Sequence, residues 1–402
     1  MAVFAPKTIF FFFLHALLLL LSTRFSQSKA ALSAQYYDQT CPQAEKIILQ
    51  AVYNASMHDP KGCDASLLLD STAGNQAEKD GPPNISVRSF YVIDDAKAKL
   101  EAACPHTVSC ADIVGIAARD VVIMSGGPFW NVLMGRKDGR VSRANETINL
   151  PAPTFNMSQL IQSFAKRGLG VKDLVALSGG HTLGFSHCSS FESRLRNFSS
   201  VHDVDPTMNK EFAQKLRTKC SKPNRDITAG ELLDSTSSTF DNNYYKQLVA
   251  GKGVFGSDQA LFSDYRTRWI VESFAKDQSV FFKEFAVSMV NLGNVGLIED
   301  GGEVRLNCRV LDLSVPIVNI LRPCSAVPRS SVYTKDTRTV KYHAADSGIS
   351  MSCPQVTGAA AMHREGCSPT VVSYSNYIRS SDHRTTKPGK AWTSTIPLLL
   401  KL

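Results

Sequence analysis

The most informative stretch of this 402-residue sequence is Asp173-Leu-Val-Ala-Leu-Ser-Gly-Gly-His-Thr-Leu-Gly184. Its apolar residues recur at helical spacing as far as Leu177, and Gly179 and Gly180 then allow another group to approach His181 closely. A single histidine at the end of an apolar helix is more often a hydrogen-bonded core residue than a ligand. The role of His181 therefore depends on the segments that accompany it.

The rest of the sequence is dominated by helical spacing of apolar residues. Helical patterns cover residues 43–54, 90–103, 109–125, 158–168, 171–178, 207–218, 241–250, 263–276 and 279–293. Gly, Pro, Ser and Asp separate these segments, as is typical of helix ends. The alternation that predicts strands is limited to short runs such as Trp130 to Met134. We therefore predict a mainly α fold with a few short β pieces.

Three other segments accompany the histidine in a fixed order. They are Ala118-Arg-Asp120 leading into Ser125-Gly-Gly-Pro128 and Gly135-Arg-Lys-Asp138; Leu150-Pro-Ala-Pro153; and Phe240-Asp-Asn-Asn-Tyr244-Tyr245 followed by Gly256-Ser-Asp258-Gln259. Together with the first stretch they resemble the secretory plant (class III) haem peroxidases from about Ala34 to Arg309. The resemblance implies a haem-peroxidase-like helical fold and a monomeric enzyme that oxidises small phenolic donors with hydrogen peroxide.

The resemblance assigns roles to residues on the proximal side of the haem. His181 is the expected ligand of haem b, and Asp258 is the expected partner of its other ring nitrogen. Such a partner gives the imidazole anionic character, which favours the oxidised states of iron. Thr182, Asp234 and Asp241 resemble ligands of the family's proximal calcium, and oxygen ligands suit this hard cation.

The loop from Asp234 to Asp241 is one residue shorter than the family pattern, so either Thr236 or Ser237 fills the intermediate calcium position. Pro151 resembles the proline at the edge where aromatic substrates enter. The resemblance also implies three disulfides, which are Cys41–Cys104, Cys110–Cys308 and Cys188–Cys220.

The distal side of the expected haem site is incomplete. The family has Arg-x-x-x-His-Asp-Cys-Phe on a helix shortly before Gly-Cys-Asp-Ala-Ser, because a histidine must move the peroxide proton and an arginine must stabilise the departing oxygen. This chain has Gly62-Cys-Asp-Ala-Ser66 but not the helix before it. We interpret the junction of Lys61 and Gly62 as an internal deletion of roughly fifteen residues, or about 22 Å of helix.

His58 is a poor substitute for the missing base. Asn54 rather than arginine stands four residues before it, Pro60 follows where the family has cysteine, and the spacing to Cys63 is two residues too short. A base without a positioned partner lacks the geometry that proton transfer requires. We therefore predict no distal catalytic residue in this chain.

The deletion has consequences for its neighbours. Cys63 loses its partner, and Asn84 has no distal histidine to orient. Removing a helix above the haem pocket also uncovers apolar core. The distal calcium site loses a carboxylate and a carbonyl, so its affinity should fall. The positions that remain at this site are Gly62, Asp64, Ser66 and Glu78.

The N-terminal residues 1–29 have the pattern of a secretory signal. An apolar run from Ile9 to Leu21 follows Lys7 and is too short for a stable membrane span, the alternative being a membrane anchor. We expect a secreted, extracellular protein without a membrane segment, whose cysteines form disulfides rather than zinc sites. Five glycosylation sequons agree with this expectation, at Asn54, Asn84, Asn145, Asn156 and Asn197.

The net charge of +8 comes almost entirely from the C-terminal segment. Residues 313–402 contain 11 basic and 4 acidic groups, whereas residues 1–312 contain 33 and 32, so the charge does not indicate a nucleic-acid-binding surface. The segment Ser347-Gly-Ile-Ser350-Met-Ser-Cys-Pro-Gln355 resembles the nucleophile region of plant subtilisin-like proteases. Ser350 is inert without the histidine and aspartate of a triad, which the upstream sequence does not supply.

The sequence thus predicts a signal peptide over 1–29, a haem peroxidase domain over 30–312 with the deletion at 61/62, and a basic, irregular extension over 313–402. The first functional hypothesis is a secreted haem peroxidase that is impaired by the loss of the distal histidine and arginine. The second is a secreted glycoprotein that binds haem but does not activate peroxide. A third, serine peptidase, lacks its triad partners.

Overall fold

The computed structural model describes residues 32–56, 66–85, 87, 89–221, 229–298 and 300–312, which all belong to one unit of the chain. The predicted signal peptide, the 61/62 junction and the extension from 313 lie outside these ranges. The helices are α1 (Ala44–Ser56), α2 (Phe90–Ala103), α3 (Cys110–Met124), α4 (Met157–Ala165), α5 (Val171–Ser178), α6 (Glu192–Leu195), α7 (Lys210–Lys219), α8 (Asn243–Val249), α9 (Gly256–Ser263), α10 (Tyr265–Lys276) and α11 (Gln278–Gly293). The strands β1 (Phe185–His187) and β2 (Gly230–Leu232) pair antiparallel. The mainly α fold with few β pieces is therefore confirmed.

Several helices begin at residues that cap them. Ser109 Oγ accepts a hydrogen bond from the backbone N–H of Asp112 at 3.1 Å, at the start of α3. Asn156 and Gln159 exchange side-chain to backbone hydrogen bonds at the start of α4. Such caps satisfy N–H groups that have no partner in the first turn and contribute about 1 kcal/mol each. They explain why the periodic sequence patterns begin close to the observed starts of these helices.

A cluster of buried aromatic rings positions the end of α5. Tyr245 donates a hydrogen bond to the carbonyl of Val175 at 2.8 Å. Its hydroxyl also lies against Gly179, where a Cβ atom would come within 2.3 Å of it. The glycine is thus needed for the close approach that the sequence suggests. The rings of the cluster are Phe240, Tyr244, Tyr245, Phe274, Phe281 and Phe285.

The end of the described chain is fastened to the start of α3. A disulfide joins Cys110 to Cys308. The buried carboxylate of Asp138 accepts hydrogen bonds from three backbone N–H groups, those of Cys110 at 3.1 Å, Ala111 at 2.8 Å and Arg305 at 3.0 Å. The other two disulfides are Cys41–Cys104 and Cys188–Cys220, so all three pairs that the resemblance implies are present.

Two parts of the fold differ from the prediction based on periodicity. Trp130 to Met134 is not a strand: Met134 forms only an isolated bridge with Ser33, and Trp130 packs its ring edge-on against Phe285 of α11. Helix α9 is absent from the predicted helices, because its first turn, Gly-Ser-Asp, has no apolar residue and is typical of a loop. Among the described residues, no helix has the length and apolar character needed to cross a bilayer.

Candidate active site

His181 and Asp258 form the centre of the candidate site. His181 lies in a 3₁₀ turn, Gly179–Thr182, that continues from the end of α5, and Asp258 lies in the first turn of α9. Nδ1 of the histidine is 2.8 Å from Oδ1 of the aspartate, whose side chain is 3% exposed. Because a carboxylate accepts hydrogen bonds, this contact keeps the ring proton on Nδ1 and directs the lone pair to Nε2.

Asp258 is itself held in place by two donors. The hydroxyl of Tyr244 donates to Oδ1 at 2.9 Å, and the backbone N–H of Phe255 donates to Oδ2 at 3.1 Å. The rings of Tyr244 and Phe255 also meet the His181 ring edge-on, at 5.9 and 5.4 Å between centroids. Burial, reinforced by the charge of Asp258, raises the pKa of Tyr244 well above its ordinary value, so this phenol stays protonated and donates.

This donor set fits a haem iron. Within the described chain Nε2 of His181 has no hydrogen-bond partner, while Nδ1 has the carboxylate partner that a metal-ligating imidazole almost always has. The side chain of His181 is 16% exposed, so the ring is not sealed inside the core. The pair can hold an iron at Nε2 and raise the electron density that the imidazole gives to it.

Pro151 lies in the chain segment next to this pair. It is half-buried, and two residues later the carbonyl of Pro153 accepts a hydrogen bond from the N–H of Ser257 at 3.0 Å. Ser257 directly precedes Asp258 in the first turn of α9. The backbone thus connects the segment expected at the substrate edge to the helix that carries Asp258.

The residues expected at the proximal calcium lie together. Thr182 Oγ1 is 2.7 Å from Asp234 Oδ2 and 3.2 Å from Asp241 Oδ1. Thr236 Oγ1 is 3.2 Å from Asp234 Oδ1 and 3.1 Å from Asp241 Oδ1. Of the two alternatives for the intermediate position, the structure places Thr236 rather than Ser237 beside both carboxylates. Four oxygen-bearing side chains therefore converge, which suits a hard cation.

Asp234 shows the electrostatic strain of this cluster. Burial is the main reason that the pKa of Asp234 rises to about 6, and the neighbouring charge of Asp241 adds to it, against the hydrogen bonds from Thr182 and Thr236. Among the described residues, no three His, Cys, Asp or Glu side chains converge in a way that could hold a metal. The cluster contains only two such side chains, and the hydroxyl oxygens of two threonines complete it.

On the distal side the structure places only part of the predicted residues. Ser66 Oγ donates to Glu78 Oε2 at 2.6 Å, so these two calcium candidates are in contact. Asn84 is 4% exposed and donates to the carbonyl of Glu78 at 2.7 Å. Gly62 and Asp64 lie outside the described residues, as do His58 and Cys63. The described histidines are His106, His181, His187 and His202, and none has an arginine four residues before it.

A cavity of about 410 Å³ lies beside the first described residues after the junction. Ser66 and Leu67 line one side, and α3, residues 130–133 and the end of α11 line the others. His181, Asp258 and Pro151 are not among the described residues that line it. The cavity is thus lined by neither residue of the proximal pair, and it borders the first described residues after the predicted deletion.

Sequence reasoning missed the contribution of Tyr244 to the site. The residue stands in the quoted segment Phe240-Asp-Asn-Asn-Tyr244-Tyr245, but the segment alone does not show that the first tyrosine contacts Asp258 and the second contacts α5. The sequence signal that could have indicated these contacts is the pair of adjacent tyrosines in a polar segment, because a tyrosine hydroxyl that becomes buried requires a hydrogen-bond partner.

Comparison with known proteins agrees with this geometry. The family model described as peroxidase matches residues 26–277. Peroxidase 66 of Arabidopsis thaliana is 67% identical over 302 residues, which cover 71% of this chain and 94% of the relative. Peroxidase 64 of Arabidopsis thaliana is 51% identical over 295 residues (69% and 92%), and Peroxidase 1 of Oryza sativa subsp. japonica is 41% identical over 319 residues (73% and 97%).

The matched region contains the proximal pair, the oxygen cluster and the three helices that surround them, α5, α8 and α9. Haem and calcium are general features of this family, and its plant class III members are secreted. The extension from 313 lies beyond the matched residues. On the histidine–aspartate pair and on these similarities, the chain belongs to the class III plant peroxidase family.

Proposed function

We propose that this chain is a secreted glycoprotein that binds haem b at His181 and oxidises phenolic donors with hydrogen peroxide, at a rate greatly reduced by the absence of the distal histidine and arginine. The observation that carries the haem assignment is the 2.8 Å contact between His181 Nδ1 and Asp258 Oδ1. When bound, haem supplies the redox chemistry toward peroxide. The chain's own residues position and tune it.

On the proximal side, Asp258 holds the proton of His181 at Nδ1, so that Nε2 is available to the iron. Tyr244 and the N–H of Phe255 fix the orientation of the carboxylate. The burial of this network keeps water from competing for the aspartate oxygens. We assign the neighbouring oxygens of Thr182, Asp234, Thr236 and Asp241 to a calcium ion, whose charge would relieve the repulsion between the two carboxylates.

Three observations support an impaired distal side. The sequence lacks the distal motif before Gly62, and the described histidines have no arginine at the required spacing. The 410 Å³ cavity borders Ser66 and Leu67, close to the junction. The alignment with Peroxidase 66 extends over 302 positions but contains 71% of 402 residues, about 285, so it includes about seventeen positions where this chain has no residue. This number is close to the length of the proposed deletion.

A distal calcium remains part of the proposal in weakened form. Ser66 and Glu78 are in contact, but the site needs the carboxylate and carbonyl that the deletion removes. Pro151 is the proposed contact of the phenolic donor. The boundaries of the regions also remain proposals, namely a signal peptide over 1–29, a peroxidase domain over 30–312, and an extension over 313–402 without peptidase activity at Ser350.

The alternative is a secreted haem-binding glycoprotein without peroxidase activity. The absence of both distal residues favours it, because acid–base catalysis alone contributes 10²- to 10⁴-fold. It shares the haem ligand His181 with the first proposal and differs only in turnover.

Reconstitution of the secreted chain with haem separates these functions. The Soret band of the bound haem and its loss in a His181→Ala variant test the ligand, and oxidation of guaiacol by hydrogen peroxide tests turnover, with Peroxidase 66 as the reference. We expect a stoichiometric Soret shift and a turnover 10² to 10⁴ times lower than the reference. Turnover within about tenfold of the reference would contradict the distal deficit, and turnover equal to free haem would support the alternative.

A further inference from the structure

The cavity beside the junction has the size of a ligand site. Its volume of about 410 Å³ lies within the range of roughly 300 to 1,000 Å³ that is typical of small-molecule pockets. Arg136 closes one end, because its guanidinium donates to Asp112 Oδ1 of α3 at 3.0 Å and to the carbonyl of Gly293 at the end of α11 at 2.8 Å. The cavity therefore has fixed walls on two helices.

The wall on α3 consists of small side chains. Ala111, Val114, Gly115 and Ala118 follow the spacing i, i+3, i+4, i+7 and all line the cavity. This spacing places them on one face of the helix, where a packed protein normally has another element. Around Gly115 an added Cβ atom would meet only Val132 at 3.4 Å and Arg136 at 3.7 Å, so the glycine is not required by a close contact. This helix face therefore has room for a planar molecule to lie against it.

Another part of the wall offers an aromatic ring and a polarisable thioether. Trp130 is 6% exposed and packs edge-on against Phe285 of α11, which fixes the indole in the wall. Met289 is 8% exposed and lines the same cavity, together with Val290 and Leu292. A thioether and an indole both make favourable contacts with aromatic rings. The walls thus suit a planar aromatic molecule better than a branched aliphatic one.

Most of the polar side chains in the wall are already engaged. Arg136 is neutralised by Asp112, and Thr147 Oγ1 donates to the carbonyl of Ala144 at 2.6 Å. Ser66 Oγ donates to Glu78. Glu146, which also lines the cavity, pairs with Arg143.

Arg167 is half-exposed and donates to the oxygens of Ser163 and to the carbonyl of Asn149. Because these charged groups already have partners, the cavity does not favour a charged ligand.

We infer that the cavity between α3, Trp130 and α11 binds a small uncharged aromatic molecule of one or two fused rings. The inference goes beyond the proposed peroxidase chemistry, because His181, Asp258 and Pro151 do not line the cavity, whereas Ser66, Glu78 and Asn84 of the expected distal side do. Most of the residues that line the cavity are apolar, and apolar cavity walls bind apolar guests such as benzene. Binding at this site does not require haem.

Isothermal titration calorimetry with indole tests the inference on the haem-reconstituted secreted chain and on the same chain without haem. We expect saturable 1:1 binding in both. Ala118→Leu fills the cavity and should weaken binding at least tenfold, whereas the matched substitution Ala165→Leu, at an exposed position on α4, should leave it unchanged. Absence of saturable binding, or stoichiometric displacement of indole by haem, would overturn the inference.

A second measurement covers the case in which Ala118→Leu does not fold. With labelled methionine methyl groups in the unmodified chain, indole should shift the Met289 resonance, assigned by Met289→Leu, and leave that of Met157, buried on α4, in place. Equal shifts at both positions, or none at Met289, would show that indole binds elsewhere.

Discussion

His181 and Asp258 are separated by 77 residues in the sequence, yet Nδ1 of the first lies 2.8 Å from Oδ1 of the second. Two features bring them together: the aromatic cluster that fixes the end of α5, and the cap at the start of α9, where Asp258 Oδ2 accepts from the N–H of Phe255. One carboxylate therefore starts a helix with one oxygen and orients the imidazole with the other.

Replacing Asp258 by asparagine should weaken haem binding. The amide keeps the size of the side chain but removes the negative charge, and its NH₂ group can turn toward Nδ1 and favour the wrong tautomer. Loss of such a partner typically costs 10- to 100-fold in metal affinity. Titration with haem, followed at the Soret band, measures the change.

Tyr244→Phe is the matched control for this variant. It keeps the carboxylate and removes only the 2.9 Å hydrogen bond from the phenol. We therefore expect haem affinity to fall by about 1 kcal/mol, or roughly fivefold. If Asp258→Asn bound haem as tightly as the unmodified chain, the pair would have only a structural role and the assignment of His181 as ligand would lose its main support.

The calcium-free chain should lose stability as the pH rises from about 4 to about 6. The pKa of Asp234 is about 6 in the folded chain against 3.8 for the free residue, so the folded state binds this proton more tightly than the unfolded state. Stability from this group is therefore present at low pH and is lost as the pH rises through 6, by up to about 3 kcal/mol. Thermal unfolding in a chelator across this pH range measures the slope.

Calcium should reverse this loss at pH 7, since a divalent cation stabilises the ionised carboxylate. Asp234→Asn removes the titrating group and should flatten the pH profile in the chelator while abolishing stabilisation by calcium. A chain whose stability at pH 7 does not respond to calcium would contradict the assignment of Thr182, Asp234, Thr236 and Asp241 to the metal.

Much of the candidate site could be predicted from the sequence, because His181, Asp258 and Asp241 stand in segments whose order is specific to one family. Other parts could not be predicted. Strands of three residues, such as β1, are too short to show alternation. Trp130 lies in an alternating run, but its burial comes from packing against a distant helix. The cavity depends on the same long-range packing, so no local sequence pattern predicts its shape.

Asp138→Ala should destabilise the fold strongly. Its carboxylate accepts from the N–H groups of Cys110, Ala111 and Arg305, and the substitution leaves these buried donors without a partner. Each buried donor that loses its partner costs about 1 to 3 kcal/mol, so we expect the free energy of unfolding to fall by at least about 3 kcal/mol. Denaturant unfolding measures it. Asp38→Ala, at an exposed aspartate before α1, is the control and should cost far less.

Removal of residues 313–402 should leave the fold intact. The described chain is already fastened before this point by the disulfide Cys110–Cys308 and by Arg309, whose guanidinium lies 2.6 Å from Asp94. We expect an unfolding temperature within about 2 °C of the full chain, the same haem stoichiometry, and a lower isoelectric point, because the segment carries 11 basic and 4 acidic groups. A truncated chain that fails to fold would show that the extension belongs to the domain.

Insertion of a helical segment with the family's distal motif, Arg-x-x-x-His-Asp-Cys-Phe, between Lys61 and Gly62 should restore peroxidase turnover. The segment would supply the distal arginine and histidine at a spacing of four, which acid–base catalysis at the peroxide requires. We expect a gain of 10²- to 10⁴-fold in guaiacol oxidation. The same insertion with its histidine changed to alanine should keep haem binding but lose most of the gain.

The insertion also tests the cavity. A helix placed after Lys61 would cover the small-residue face of α3 and so compete with indole, while burying apolar walls should raise the unfolding temperature. A gain in turnover without loss of indole binding would show that the helix lies elsewhere.

If the insertion raised turnover less than about threefold while His58→Ala abolished the original activity, His58 would be the distal base after all. In the unmodified sequence, the spacing of an arginine four residues before a histidine occurs at Arg379 and His383, in the extension. Turnover of the chain truncated after Asp312 shows whether this pair contributes to the activity.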